Sequence, residues 1–116
     1  MPANVSFDRY ETKSRGTVYK IRFDRISMAF LGDNNYIQLF KNTEYVMVKP
    51  AQLSPGSKNN TFLVNRNRSQ GSVNVGRLVS TGFLHKDLFG KKYKVRKDRE
   101  GNLYICLMEE IKEGDE

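Results

Sequence analysis

The side chains best equipped for chemistry in this sequence are cations. Lys91, Lys92, Lys94, Arg96, Lys97 and Arg99 form the densest run. In an extended strand Lys92, Lys94 and Arg96 share one face, with Tyr93 and Val95 on the other. Such a stripe suits a phosphate backbone; the competing structural account is an edge strand guarded by lysines against aggregation. Lys20, Arg22 and Arg25 make a second group, and Arg77 with Lys86 a third. Arginine at those places can fork onto a phosphate or a guanine edge. Arg66 and Arg68 lie in the polar stretch 65–72, which reads as a mobile loop able to add phosphate contacts. The structural alternative for each group is a solvated face with surface ion pairs, such as Asp24 with Arg22. His85, the only histidine, joins Lys86 as a candidate contact and stands two residues before Asp87 with no third partner. Cys106, the only cysteine, reads as a small core residue. One His and one Cys build no zinc knuckle, disulfide or catalytic triad. There is no Gly-rich phosphate loop and no metal-spaced carboxylate cluster. The expectation is a non-enzymatic chain with no cofactor and no metal.

The placement of charge sharpens this. The 116 residues carry a net +7. Residues 1–55 hold eight Lys/Arg and five Asp/Glu, and residues 56–108 hold eleven against three. The acidic tail, residues 109–116, holds one Lys and five acids. The body is therefore near +11, and a body that basic draws polyanions by counterion release. Nucleic acid is the favoured partner over the alternative that excess Lys only keeps a small domain in solution. The tail reads as a frayed terminus, or as a shield over the basic face. No apolar run is long enough to span a bilayer, and the N-terminus has no apolar leader segment. The expectation is a small cytoplasmic binding domain with no membrane partner.

The elements that must hold these cations are strands. Residues 17–23 alternate, with Tyr19, Ile21 and Phe23 against Lys20 and Arg22, as in a half-buried strand with a basic outer face. Residues 25–31 read as a further strand running into a turn at 32–35. Strands follow at 36–40 and 44–49, where Pro50 is a stop. Residues 50–60 read as a linker, and 61–64 as a short strand. Strand pattern resumes over 73–75 and 78–81, and 82–89 suits one or two helical turns with Leu84 and Leu88 on one face. The basic strand 91–97, a hairpin turn closing at Gly101, and a strand over 102–108 complete the chain.

The pattern repeats. IRFDRI (21–26) matches VNVGRL (73–78) in kind, and each leads through a short apolar segment into strand, turn and strand. A unit this short cannot bury its own apolar face, but two can share a core. The chain divides into an N-terminal segment (1–16), a first repeat (17–50), a linker with a short strand (51–72), a second repeat (73–108) and the tail. If the units pair about a pseudo-two-fold axis, Arg25 and Arg77 are expected on one surface. The fold class is mainly β, a small barrel of two pseudo-repeated hairpin units with one short helix.

Residues 73–108, VNVGRLVSTGFLHKDLFGKKYKVRKDREGNLYICLM, resemble the DNA-binding domain of AbrB-type transition-state regulators. The same swapped-hairpin architecture occurs in MazE-type antitoxins. Gly76-Arg77 matches the family's turn, Leu84-His85-Lys86 its leucine followed by basic residues, and Leu88-Phe89-Gly90 its leucine-glycine ending. The resemblance implies duplex DNA binding by a small transcriptional regulator and an interleaved barrel. Two copies in one chain imply an intramolecular pseudo-dimer, with a homodimer of chains also open. Two other functions stay open. One is an antitoxin-like or mobile-element module that inhibits a nucleic-acid enzyme, with a protein partner. The other is an OB-like single-strand binder, since six Tyr and seven Phe interleave with the cations.

Overall fold

Alternating apolar residues turn more than half of the described residues into strand. The computed structural model describes residues 4–32, 35–51 and 61–111. Strands β1 (Asn4–Thr12) and β2 (Gly16–Phe23) form a hairpin, helix α1 (Arg25–Leu31) follows, and β3 (Tyr36–Lys41) with β4 (Tyr45–Ala51) forms a second hairpin. The order then recurs: β5 (Thr61–Leu63), β6 (Asn65–Asn67), β7 (Gln70–Asn74), α2 (Gly76–Ser80), a 3₁₀ turn (Lys86–Leu88), β8 (Lys91–Lys97) and β9 (Leu103–Ile111). All nine strands join one antiparallel sheet in the order β5-β3-β4-β9-β8-β1-β2-β7-β6. Its two outermost strands, β5 and β6, are separated in sequence by Val64 alone, so the chain carries one edge of the sheet to the other. The result is a nearly closed barrel. Val5, Phe7, Ile21, Phe23, Ile37, Leu39, Val46, Val48, Val73, Leu103 and Ile105 fill it, each at most 1% exposed.

The strand registers obey the repeat. Ile21 of β2 pairs with Val73 of β7, its own counterpart in the other unit, so a pseudo-two-fold axis passes there. On the far side of the barrel β4 and β9 cross the same axis at Met47 and Tyr104. In the second unit β5 and β6 together do what β1 does in the first. Val5 pairs with Tyr93 of β8, and correspondingly Phe62 pairs with Ile37 of β3. Each unit's second hairpin therefore pairs with the first strand of the other unit. Neither unit closes its own sheet, which is why both are needed for one core.

Several local expectations change. Residues 4–12, assigned to an N-terminal segment, are a barrel strand. Residues 25–31 are helix rather than strand. Asp24 caps α1 through its Oδ1, which accepts from the Ser27 N–H at 2.8 Å, and Gly32 ends it with φ 69°. Seven residues make no stable helix alone. The cap contributes ~1 kcal/mol, and burial of Met28 and Leu31 about 1.5–3 kcal/mol each. Residues 76–80 are likewise helical, not a turn entering a strand. The helical turns expected over 82–89 shrink to a single 3₁₀ turn, with Leu84 buried and Leu88 half-buried. β4 runs through Pro50 to Ala51, and β9 takes up Glu109 and Glu110 of the tail. Residues 65–72 are a hairpin, with Arg68 at φ 58° in its turn, rather than a loop. The linker residues 52–60 and the last tail residues, 112–116, lie outside the described residues.

Candidate nucleic-acid interface

Pleating decides which cations meet. On β2, Ile21 and Phe23 point into the barrel, so Lys20 and Arg22 point out. On β8, Tyr93 is buried and Lys92, Lys94 and Arg96 are exposed, as the alternation requires. Between these strands runs β1, with Asn4, Ser6 and Asp8 on its outer face. Cross-strand register aligns Ser72, Arg22, Ser6 and Lys92 in one row. Neighbouring rows hold Asn74, Lys20 and Asp8, and Asn4 with Lys94. Four cations thus sit on β2 and β8, on either side of β1, among small polar side chains and with one carboxylate on the β1 face between them. That carboxylate, Asp8, pairs with Arg22 Nε at 3.2 Å. A shallow cleft of about 240 Å³ opens among Asn4, Ser6, Arg22, Asp24, Gln70 and Lys92.

β8 is flanked by β1 on one side and β9 on the other, so it is not an edge strand. Lysines guarding an exposed edge therefore do not explain its composition. Its cations divide into two kinds. Arg96 is tied to Glu109 by hydrogen bonds of 3.0–3.3 Å, and Lys91 Nζ lies 3.5 Å from Glu110. The Arg96 guanidinium holds the Glu109 carboxyl below the usual range, and Glu109 raises Arg96 in turn. Lys92 and Lys94 make no ion pair within 4 Å among the described residues. The start of the acidic tail thus covers part of the basic strand.

Other expected contacts have local structural duties. Arg66 donates from Nη2 to the Gly32 carbonyl at 2.8 Å, satisfying the C-terminal end of α1. Arg68 is exposed at the β6–β7 turn. Asp24 does not pair with Arg22; its carboxylate takes the backbone N–H groups of Ser27 and Asn4. His85 caps the 3₁₀ turn, its Nδ1 accepting from the Asp87 N–H at 3.1 Å, and Lys86 is exposed beside it. Cys106 is half-buried on the outer side of β9, between Tyr104 and Met108, rather than in the core. Among the described residues no group of three or more His, Cys, Asp and Glu could hold a metal ion.

Arg25 and Arg77 do not share one end of the fold. Arg25 comes two residues after the end of β2 and Arg77 three after the end of β7, and β2 and β7 are antiparallel, so the two arginines leave at opposite ends of the pair. Arg25 is exposed at the first position of α1, while Arg77 packs over the Phe62 ring at 4.8 Å.

Sequence reasoning overlooked the β1–β2 ribbon. β8 pairs with β1 only as far as Phe7, and β7 pairs with β2 only over Lys20–Phe23. Beyond those residues Tyr19 still ties the hairpin to the barrel, through the Val75 N–H and the Phe89 ring, and the projecting part carries Arg9, Lys13 and Arg15, all exposed. The signal was present as cations around Gly16, which takes the left-handed φ of 69° that closes the turn.

The outer face of β4 and β9, which adjoins β8 at Lys94 and Arg96, is different in kind. There Tyr45 and Tyr104 stack edge-on at 5.0 Å beside Met47, Cys106 and Met108. Comparison with protein-family models, with curated proteins and with solved structures finds no match to this chain.

Proposed function

We propose that this chain is a non-enzymatic, duplex-DNA-binding protein of the small-regulator type, gripping the phosphate backbone with the outer face of β8, β1 and β2. One observation carries the proposal: Lys20 and Arg22 of β2 and Lys92 and Lys94 of β8 flank β1, among Ser and Asn side chains and with Asp8 the one carboxylate on the β1 face between them. Such a face is rich in donors and poor in competing acids, which suits phosphate oxygens. The likeness of residues 73–108 to AbrB-type DNA-binding domains supports the same function, as does the exchange of hairpins between the two units. Among the described residues no helix is long and apolar enough to cross a membrane.

The test is a gel-shift titration with duplex DNA, single-stranded DNA and RNA probes. Four phosphate contacts give a log-affinity slope against log salt of about −3.6, or roughly a hundredfold loss between 50 and 200 mM. No shift of duplex DNA at 50 mM salt overturns the proposal. Preference for single strands over duplex transfers the function to single-strand binding.

A further inference from the structure

The inner end of the outer half of the β1–β2 hairpin is held to the barrel, with the Tyr19 ring 4.9 Å from Phe89 and Val18 buried, but its tip projects beyond the flanking strands. The Tyr19 carbonyl still accepts the Val75 N–H at 2.9 Å; from Tyr10 to Thr12 and from Gly16 to Val18 the two strands pair only with each other. Three residues of each strand reach about 10 Å past that last flanked row. An unflanked two-stranded ribbon is marginally stable in water, so its retention needs a reason outside the core. Its carboxylates are occupied: Asp8 takes Arg22, and Glu11 accepts the Thr17 hydroxyl at 2.7 Å. Its cations, Arg9, Lys13 and Arg15, are exposed. The turn between Thr12 and Gly16 contains two cations and no acid. Thr12 Oγ1 holds that turn in shape, accepting from the Arg15 N–H at 3.0 Å and donating to the Gly16 carbonyl at 3.1 Å. Tyr10 adds an exposed ring at 43%, with the Lys20 ammonium 5.7 Å from its centroid.

We infer that this ribbon enters the major groove of duplex DNA, with Lys13 and Arg15 at its tip, while the β8–β1–β2 face holds the adjoining backbone. The inference rests on the DNA-binding function proposed above and adds the groove and the element that fills it. The major groove of B-form DNA, about 12 Å wide, admits a two-stranded ribbon. That of an RNA duplex is too narrow to read. The short β6–β7 hairpin, which occupies the matching place in the second unit, turns at residues 68–69 and cannot reach as far. One pseudo-dimer therefore inserts one arm.

The experiment compares the full chain with Lys13→Ser/Arg15→Ser on a DNA duplex and an RNA duplex of equal sequence. Affinity is followed against salt, and guanine N7 in the major groove is probed with dimethyl sulfate. Both substitutions sit in an exposed turn, so circular dichroism stays unchanged. The full chain is expected to protect guanine N7 and to favour the DNA duplex. The double variant is expected to lose that protection and to bind at least tenfold more weakly at 50 mM salt, with a salt slope shallower by about 2. It keeps residual binding through Lys20, Arg22, Lys92 and Lys94. DNA binding without N7 protection, or a double variant as tight as the full chain, overturns the ribbon and leaves the DNA-binding function intact. Absence of any duplex binding overturns both.

Discussion

Replacing Glu109 by Gln should strengthen DNA binding, because Glu109 neutralises a cation on the proposed face. Arg96 projects from β8 on the same side as Lys92 and Lys94, but its guanidinium makes three hydrogen bonds to the Glu109 carboxylate. The substitution removes one negative charge and releases one arginine, while the amide keeps the volume. If the freed guanidinium reaches one more phosphate, the salt slope steepens by about 0.9. Across the fourfold change from 200 to 50 mM salt that slope adds roughly a 3.5-fold gain in affinity. Both side chains reach solvent, so little folding stability is at stake. The assay is fluorescence anisotropy of a labelled duplex at several salt concentrations, repeated with Arg96→Ser and with the double variant. Arg96→Ser alone should change binding little, and in the Glu109→Gln background it should abolish the gain. An unchanged slope in Glu109→Gln would place the phosphate-binding surface away from β8.

Two further predictions concern the scaffold. A Cβ at Gly71 would lie 2.5 Å from Met28 Sδ and 3.1 Å from Val64 Cγ1, so Gly71→Ala should cost about 1–3 kcal/mol in urea unfolding. Its effect should be non-additive with Met28→Ala, and a neutral Gly71→Ala would mean that the Met28 thioether moves aside at little cost. At Asp98, desolvation opposes the charge. Donors from the Asn102 backbone, the Tyr104 hydroxyl, the Asn102 amide and the Glu100 backbone outweigh it and hold the pKa at about 2, below the ordinary 3.8. A depressed carboxylate pKa stabilises the fold above pH 3.8, and the contribution fades as pH falls through about 2. The melting-temperature gap between the native chain and Asp98→Asn should therefore close between pH 4 and pH 2, and a constant gap would exclude this turn as its source.

What was legible in the sequence follows from how local each signal is. Alternation at residues 17–23 and 91–97 placed Lys20, Arg22, Lys92 and Lys94 outward, because side-chain direction in a strand depends only on the next residue. The recurrence of IRFDRI and VNVGRL revealed two units, and Ile21 and Val73 from those segments meet on the pseudo-axis. Helix α1 was obscured because a short apolar run suits strand or helix equally; only Asp24 and Gly32 distinguished them. β1 was missed because the strands that bury Val5 and Phe7 lie far along the chain in β8 or need the β2 hairpin to form first. For the same reason an edge position for β8 stayed open beside the phosphate stripe: whether a strand is flanked is a property of the assembled sheet. The Arg96–Glu109 pair depends on a register irregularity between Tyr93 and Lys94 in the β8–β9 pairing, which no spacing rule supplies.

Placement of charge, as opposed to its amount, is the central claim, and one paired measurement separates them. Lys92→Ser/Lys94→Ser and Lys41→Ser/Lys49→Ser remove the same charge from opposite sides of the barrel, the second pair lying on β3 and β4. Duplex affinity measured against salt should show a slope shallower by about 1.8 for the first variant. The second should keep the slope of the native chain. Equal losses in the two variants would mean that net charge alone attracts DNA and would contradict a defined binding face on β8, β1 and β2.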